Sequence, residues 1–229
     1  MTVLSVDIDA KRFGTQHVLG EIGFEVPSGQ RVALLGPSGI GKSTLLMLIA
    51  GLDAEFEGRI ARPPGRVAMI FQTPRLLPWR TLAENIALIP GAGDLARARE
   101  LLGSVGLTDA ADKHPEKVSL GMQRRTALAR AIAVSPELIL MDEPLVSLDP
   151  TSAASMRRLL IETLDRLGTA AIIATHDRRE ALALADRVLE IDGPPALIVR
   201  DRTSPLDREL RRDAAAVEQL RAEWFGAHG

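Results

Sequence analysis

Gly36-Pro-Ser-Gly-Ile-Gly-Lys-Ser-Thr44 is the stretch on which the fold of this chain turns. Glycines at 36 and 41, followed by Lys42 and Ser43, satisfy the phosphate-loop pattern. Arg31-Val-Ala-Leu-Leu reads as a buried strand before it, and residues 44–50 as a helix after it, with Gly51 placed to stop that helix. In this setting a glycine-rich loop turns successive backbone N–H groups toward phosphate oxygens, and the helix N-terminus adds partial positive charge. The expected cradle is Gly36, Pro37, Ser38, Gly39, Ile40, Gly41, Lys42, Ser43 and Thr44. Lys42 should reach the β- and γ-phosphates, and Ser43 should offer its hydroxyl to Mg²⁺, a hard cation that takes oxygen ligands.

Working outward, Leu138-Ile-Leu-Met-Asp142-Glu143 places two carboxylates directly after an apolar strand. Open parallel sheets hold ligands at the carboxyl ends of their strands, so this is a place for chemistry. Adjacent residues there point differently: Asp142 can hold magnesium through water while Glu143 orients and polarises the attacking water. The pair, with the loop, predicts binding and hydrolysis of ATP with Mg²⁺. A helical pattern over 151–167, ended by Gly168, joins this strand to another at 170–174, which is a crossover and hence a parallel pair.

Residues 3–26 show short alternating apolar runs broken by Gly14, Gly20, Gly23 and Pro27, the pattern of an antiparallel layer. Another strand covers 67–71, after which Thr73, Pro74 and Pro78 interrupt regular structure. Helical patterns follow at 82–88, 94–105 and 120–133, and a last one at 208–225. The fold expected is α/β: a P-loop NTPase core with a mixed, mainly parallel sheet, an N-terminal antiparallel β layer and an inserted α-helical subdomain. All of 1–229 forms one domain on this reading, with 1–77 and 136–229 as the catalytic core and 78–135 as the helical subdomain.

Composition narrows the partners. Lys and Arg number 28 against 30 for Asp and Glu, so no basic excess exists to neutralise nucleic acid, and no nucleic-acid partner is expected. Cysteine is absent, which excludes disulfides, thiolate metal sites and a cysteine nucleophile, and agrees with the cytoplasm. The longest apolar run, near 45–50, falls far short of the roughly 20 residues that span a bilayer. Without a leader-like N-terminal pattern, the chain is expected to be neither exported nor inserted.

Further motifs then fall in a familiar order, and the chain resembles the nucleotide-binding subunits of ATP-binding cassette transporters over nearly its whole length. Gln72 looks like the family's Q-loop glutamine, which approaches Mg²⁺ and the water. Val118-Ser-Leu-Gly-Met122 stands where the family has Leu-Ser-Gly-Gly-Gln, with Ser119 and Gly121 retained and Leu120 in place of the first glycine. Asp149 resembles the D-loop aspartate, His176 the switch histidine at the γ-phosphate, and Phe13 the aromatic on which adenine stacks.

The resemblance implies a head-to-tail homodimer in which Ser119 and Gly121 face ATP bound to the other copy. It also implies separate transmembrane permease subunits, docking near residues 72–86, and a solute-binding protein outside the cell as an indirect partner. That places the chain at the cytoplasmic face of the inner membrane, peripherally bound. The stretch with Trp79 and Arg200-Asp-Arg-Thr-Ser-Pro205 look most like importers for nitrate, sulfonates and taurine. Because Ser119 and Gly121 persist, function is expected to be kept; leucine avoids positive φ, so only a backbone that needed glycine freedom at 120 would be strained. The alternative is a soluble cassette ATPase acting on another macromolecule, which would carry two cassettes or a long coiled-coil insertion. A kinase or GTPase is disfavoured by the absence of Asn-Lys-x-Asp.

Overall fold

Apolar alternation along the N-terminal strands builds the first layer of the computed structural model, which describes residues 1–91 and 93–226. β1 (Thr2–Phe13) buries Leu4, Val6, Ile8 and Ala10 on one face. It pairs antiparallel with β2 (Gln16–Leu19), β3 (Ile22–Pro27) and β5 (Glu57–Ala61). This is the antiparallel layer expected from the sequence, although β5 carries little apolar signal and was not expected as a strand.

The second sheet has six strands in the order β10-β9-β4-β8-β7-β6. These are β4 (Arg31–Leu35), β6 (Val67–Ile70), β7 (Leu138–Asp142), β8 (Ala170–Thr175), β9 (Arg187–Asp192) and β10 (Leu197–Thr203). Every pairing is parallel except β10 on β9, so the sheet is mixed and mainly parallel, as expected. Strands β4, β7 and β8 are buried along their whole length because both faces are covered. Period two divides their side chains. Leu138 and Leu140 pack with helix α1 (Lys42–Ala50) and the antiparallel layer, while Ile139 and Met141 pack with the helices of the opposite face.

Between β6 and β7 the chain forms α2 (Leu82–Ala87), α3 (Leu95–Ser104) and α4 (Leu120–Ile132). Thr81 and Glu84 close a capping box at the start of α2. The crossover helix is α5 (Pro150–Leu167), capped by Asp149. A short helix not expected from the sequence, α6 (Arg178–Leu184), follows β8. The single helix expected over 208–225 is a correction: a 3₁₀ turn at Leu210–Arg212 precedes α7 (Ala214–Phe225). The break has a physical cause, since Asp213 accepts from the Ala215 N–H as the cap of α7 and Arg211 is drawn toward Asp186.

Candidate active site

Parallel pairing brings the ends of β4, β7 and β8 to one edge of the sheet, and each end carries a polar group. After β4 the loop turns at Gly36, whose N–H donates to the Thr175 carbonyl at 3.3 Å. A Cβ at Gly36 would sit 2.4 Å from the Ile191 carbonyl oxygen, so only glycine fits against that backbone. At Gly41, φ is 118° and a Cβ would meet Leu19 at 2.7 Å. Gly41 caps α1 without a side chain, so no side-chain oxygen occupies the first N–H groups of that helix.

Lys42 is 4% exposed, and its ammonium donates to the Gly36 and Pro37 carbonyls at 2.7 and 2.9 Å. Burial pulls its pKa below the ordinary lysine value, opposed by the charges of Glu143 and Asp142. The Ser43 hydroxyl donates to Asp142 Oδ1 at 3.0 Å. Burial raises the pKa of Asp142, and that hydrogen bond works against the rise. Glu143 has φ 46°, a left-handed conformation costing about 1–3 kcal/mol in a non-glycine residue. Its N–H donates to the Ala174 carbonyl at 2.9 Å, which ties the turn to β8. The carboxylate is thereby aimed between two partners: Oε1 lies 3.7 Å from the Lys42 ammonium, and Oε2 lies 3.0 Å from His176 Nδ1.

Lys42, Ser43 and Glu143 line a cleft of about 360 Å³, within the range that takes small ligands, while Asp142 and His176 stand behind Ser43 and Glu143 and are not among its lining residues. Ser38, Gly39 and residues 41–44 form its floor, Gln72 and Glu143 one wall, and Phe13, Gln16 and Val18 of the antiparallel layer the other. Phe13 stands 48% exposed at the rim. Ile40 packs partly buried against the core beneath the loop.

The remaining expected residues lie elsewhere. Ser119 caps α4, its Oγ accepting from the Met122 N–H at 3.3 Å, and neither it nor Gly121 lines the chain's own cleft. Asp149 accepts from the Thr151 and Ser152 N–H groups at 3.1 and 3.0 Å, so its carboxylate is a helix cap in this chain. The condition for strain at Leu120 is not met: Leu120 is the first residue of α4 and is not among the residues with positive φ. A Cβ at Gly121 would have no neighbour nearer than 3.9 Å, so nothing within the chain requires glycine there.

The family model described as ABC transporter matches residues 19–146. The aliphatic sulfonates import ATP-binding protein SsuB 1 of Pseudomonas savastanoi pv. phaseolicola is 38% identical, covering 93% of this chain and 94% of the relative. SsuB of Rhodopseudomonas palustris is 44% identical, covering 93% of this chain and 78% of the relative. This chain belongs to the ABC transporter family. A solved structure described as the dimeric post-hydrolysis state of the ATP-binding cassette MJ0796 bound to ADP and Pi matches with a TM-score of 0.77 and 26% identity. That match covers 90% of this chain and 100% of the other. The chain is thus an ABC ATPase with the P-loop NTPase fold read from its sequence.

Sequence reasoning on this ABC ATPase missed Lys11, Gln16 and Val18. Lys11 is fully buried, pairs with Asp53 at 2.8 Å and places its ammonium 4.4 Å from the Phe13 ring centroid. A lysine two positions before an aromatic on one strand was the available signal. Gln16 and Val18 enter through the pairing of β2 with β1, where Gln16 faces Phe13, and no local pattern marks them.

Proposed function

We propose that this chain is the ATP-hydrolysing subunit of an importer for aliphatic sulfonates or the related solutes nitrate and taurine. In this reading two copies close head to tail over two ATP molecules and drive separate permease subunits at the cytoplasmic face of the inner membrane. A solute-binding protein on the other side delivers the cargo. Hydrolysis is supported above all by the place of Glu143 between Lys42 and His176. Glu143 accepts the proton of the attacking water, Lys42 meets the β- and γ-phosphates, and His176 orients Glu143 and reaches the γ-phosphate. Phe13 offers its exposed face to adenine, and Gln72 lies where it could follow the γ-phosphate state.

Ser43 and Asp142 would hold Mg²⁺, with Gln72 nearby. Their oxygens fit that cation, and no group of three His, Asp or Glu ligands exists among the described residues, which suits an ion completing its shell with phosphate and water. Bound there, Mg²⁺ would neutralise charge on the β- and γ-phosphates.

The homodimer is supported by Gly121, whose missing side chain no contact in the chain requires; close backbone approach to a ligand from outside is the other use of glycine. The dimeric relative of known structure and the sulfonate-import relatives point the same way. No helix among the described residues is long and apolar enough to cross a membrane, and the reading assigns the membrane path to other chains.

Glu143→Gln should keep ATP affinity, lower hydrolysis by roughly 10²-fold or more and accumulate an ATP-bound dimer in light scattering. Hydrolysis near the parental rate removes Glu143 from its role. Affinity purification of the tagged chain from membranes should bring a permease subunit with it, and disruption of the gene should stop growth on an alkanesulfonate as sulfur source. If neither occurs, the transport reading fails and the ATPase reading stands.

A further inference from the structure

Arg124 is a buried cation for which the chemistry above has no use. It lies on α4, is 4% exposed, and its Nη1 donates to the Pro144 carbonyl at 3.1 Å. Its Nε has no hydrogen-bond partner among the described residues, and no carboxylate there lies within ion-pair distance of it. The acid whose charge it feels most is Glu180, itself buried on α6 and bonded to Thr175. A guanidinium kept in the interior for a single carbonyl is a poor stabiliser, since an apolar side chain of like volume would avoid its desolvation. Its position is the better account.

Pro144 directly follows Glu143, whose left-handed backbone must be held from outside to persist. β8 holds it at the Ala174 carbonyl, and the turn closes on itself where the Val146 N–H donates to the Glu143 carbonyl at 3.3 Å. Arg124 supplies the third tie, and it comes from the helix that Ser119 caps. A helix moves as a rod, so a displacement at its first turn is felt at Arg124 little more than one turn later.

We propose that Arg124 is a positioning residue that fastens the signature end of α4 to the Glu143–Pro144 turn of the same chain. Seating Ser119 and Gly121 on the partner copy's ATP thereby sets the backbone that aims Glu143 at the chain's own ATP. The proposal rests on the head-to-tail homodimer. Its physical content is a two-position element, helix plus turn, that both nucleotide sites bias.

Two substitutions separate positioning from mere support. Arg124→Met removes the donor, while Arg124→Lys keeps one. Arg124→Met should lower kcat roughly 10- to 100-fold, with KM within about threefold, because the loss is in aim and not in binding. Arg124→Lys should recover most of that kcat. Arg124→Gln, polar and too short to reach Pro144, should show the same loss and serves if Arg124→Met does not fold. In the Glu143→Gln background, ATP should dimerise the chain equally well with and without Arg124→Met, since the signature surface is untouched.

A kcat within twofold of the parent in both Arg124→Met and Arg124→Gln overturns the proposal. So does an equal loss in Arg124→Lys, or a KM that rises by the factor lost from kcat. If Glu143→Gln alone forms no ATP-dependent dimer, the homodimer reading falls and takes this one with it; a normal dimer with unchanged kcat in Arg124→Met refutes the Arg124 link alone.

Discussion

At Leu120 the structure decides what local reasoning left conditional. Read alone, leucine in a glycine position strains a loop only if that backbone needs positive φ, where a side chain is costly. In the structure the chain is already helical there, so no such cost arises. The left-handed non-glycine residues among those described are Arg75, Ser135, Glu143 and Ser147, at φ 47°, 48°, 46° and 61°. Glu143, whose carboxylate is aimed, is one of the four, and no signature residue is among them. Leu120→Gly should leave ATP hydrolysis within about twofold and lower stability by no more than about 1 kcal/mol, the helix-propensity cost of glycine. Steady-state ATPase assay and thermal melting test this; a tenfold gain in rate would show that Leu120 holds the signature back after all.

At the level of elements, the junction between β8 and α6 shows how a short unforeseen helix serves the site. Asp177 caps α6 by accepting from the Glu180 N–H at 2.9 Å, and Glu180 accepts from the Thr175 hydroxyl at 2.8 Å. These bonds fix the two residues that flank His176. Burial raises the Glu180 pKa to about 7, with the Thr175 hydrogen bond and Arg157 opposing and Asp177 and Glu143 adding to the rise. The folded state therefore binds a proton that the unfolded chain has already released, and the stability this group contributes is lost as pH rises from about 4.5 to about 7. Relative to Glu180→Gln, the parent's melting temperature should fall across that window and run parallel above it. A difference that does not vary with pH would show that Glu180 titrates in the ordinary carboxylate range. Sequence periodicity missed α6 because it has seven residues, and missed β9 and β10 because their strand character comes from pairing along β4 and along each other.

At the scale of the whole molecule, the loop between β6 and α2 presents Trp79 at 69% exposure. The loop is nevertheless ordered from beneath: buried Asn85 accepts from the Leu77 N–H at 2.7 Å and donates to the Leu77, Arg80 and Thr81 carbonyls. A large aromatic held out on a rigid loop suits a docking contact. Trp79→Ala should leave ATPase activity of the isolated chain within about twofold while reducing co-purification of the permease and solute uptake, since interface aromatics carry much of binding energy. Unchanged uptake would move the docking surface elsewhere.

The phosphate loop with its flanking strand and helix, the parallel crossover and the carboxylate pair after β7 were legible in the residues themselves. Their signals are local: glycine spacing, apolar period and turn chemistry act over a few neighbours. Only the tertiary structure decided that Lys42, Glu143 and His176 meet, that Phe13 from a second sheet, beside a buried Lys11, lines the same cleft as Lys42 and Glu143, that Leu120 is at ease, and that Arg124 reaches Pro144. Each of those depends on strand register and helix placement between residues distant in the chain, and no short window of sequence records where such partners come to rest.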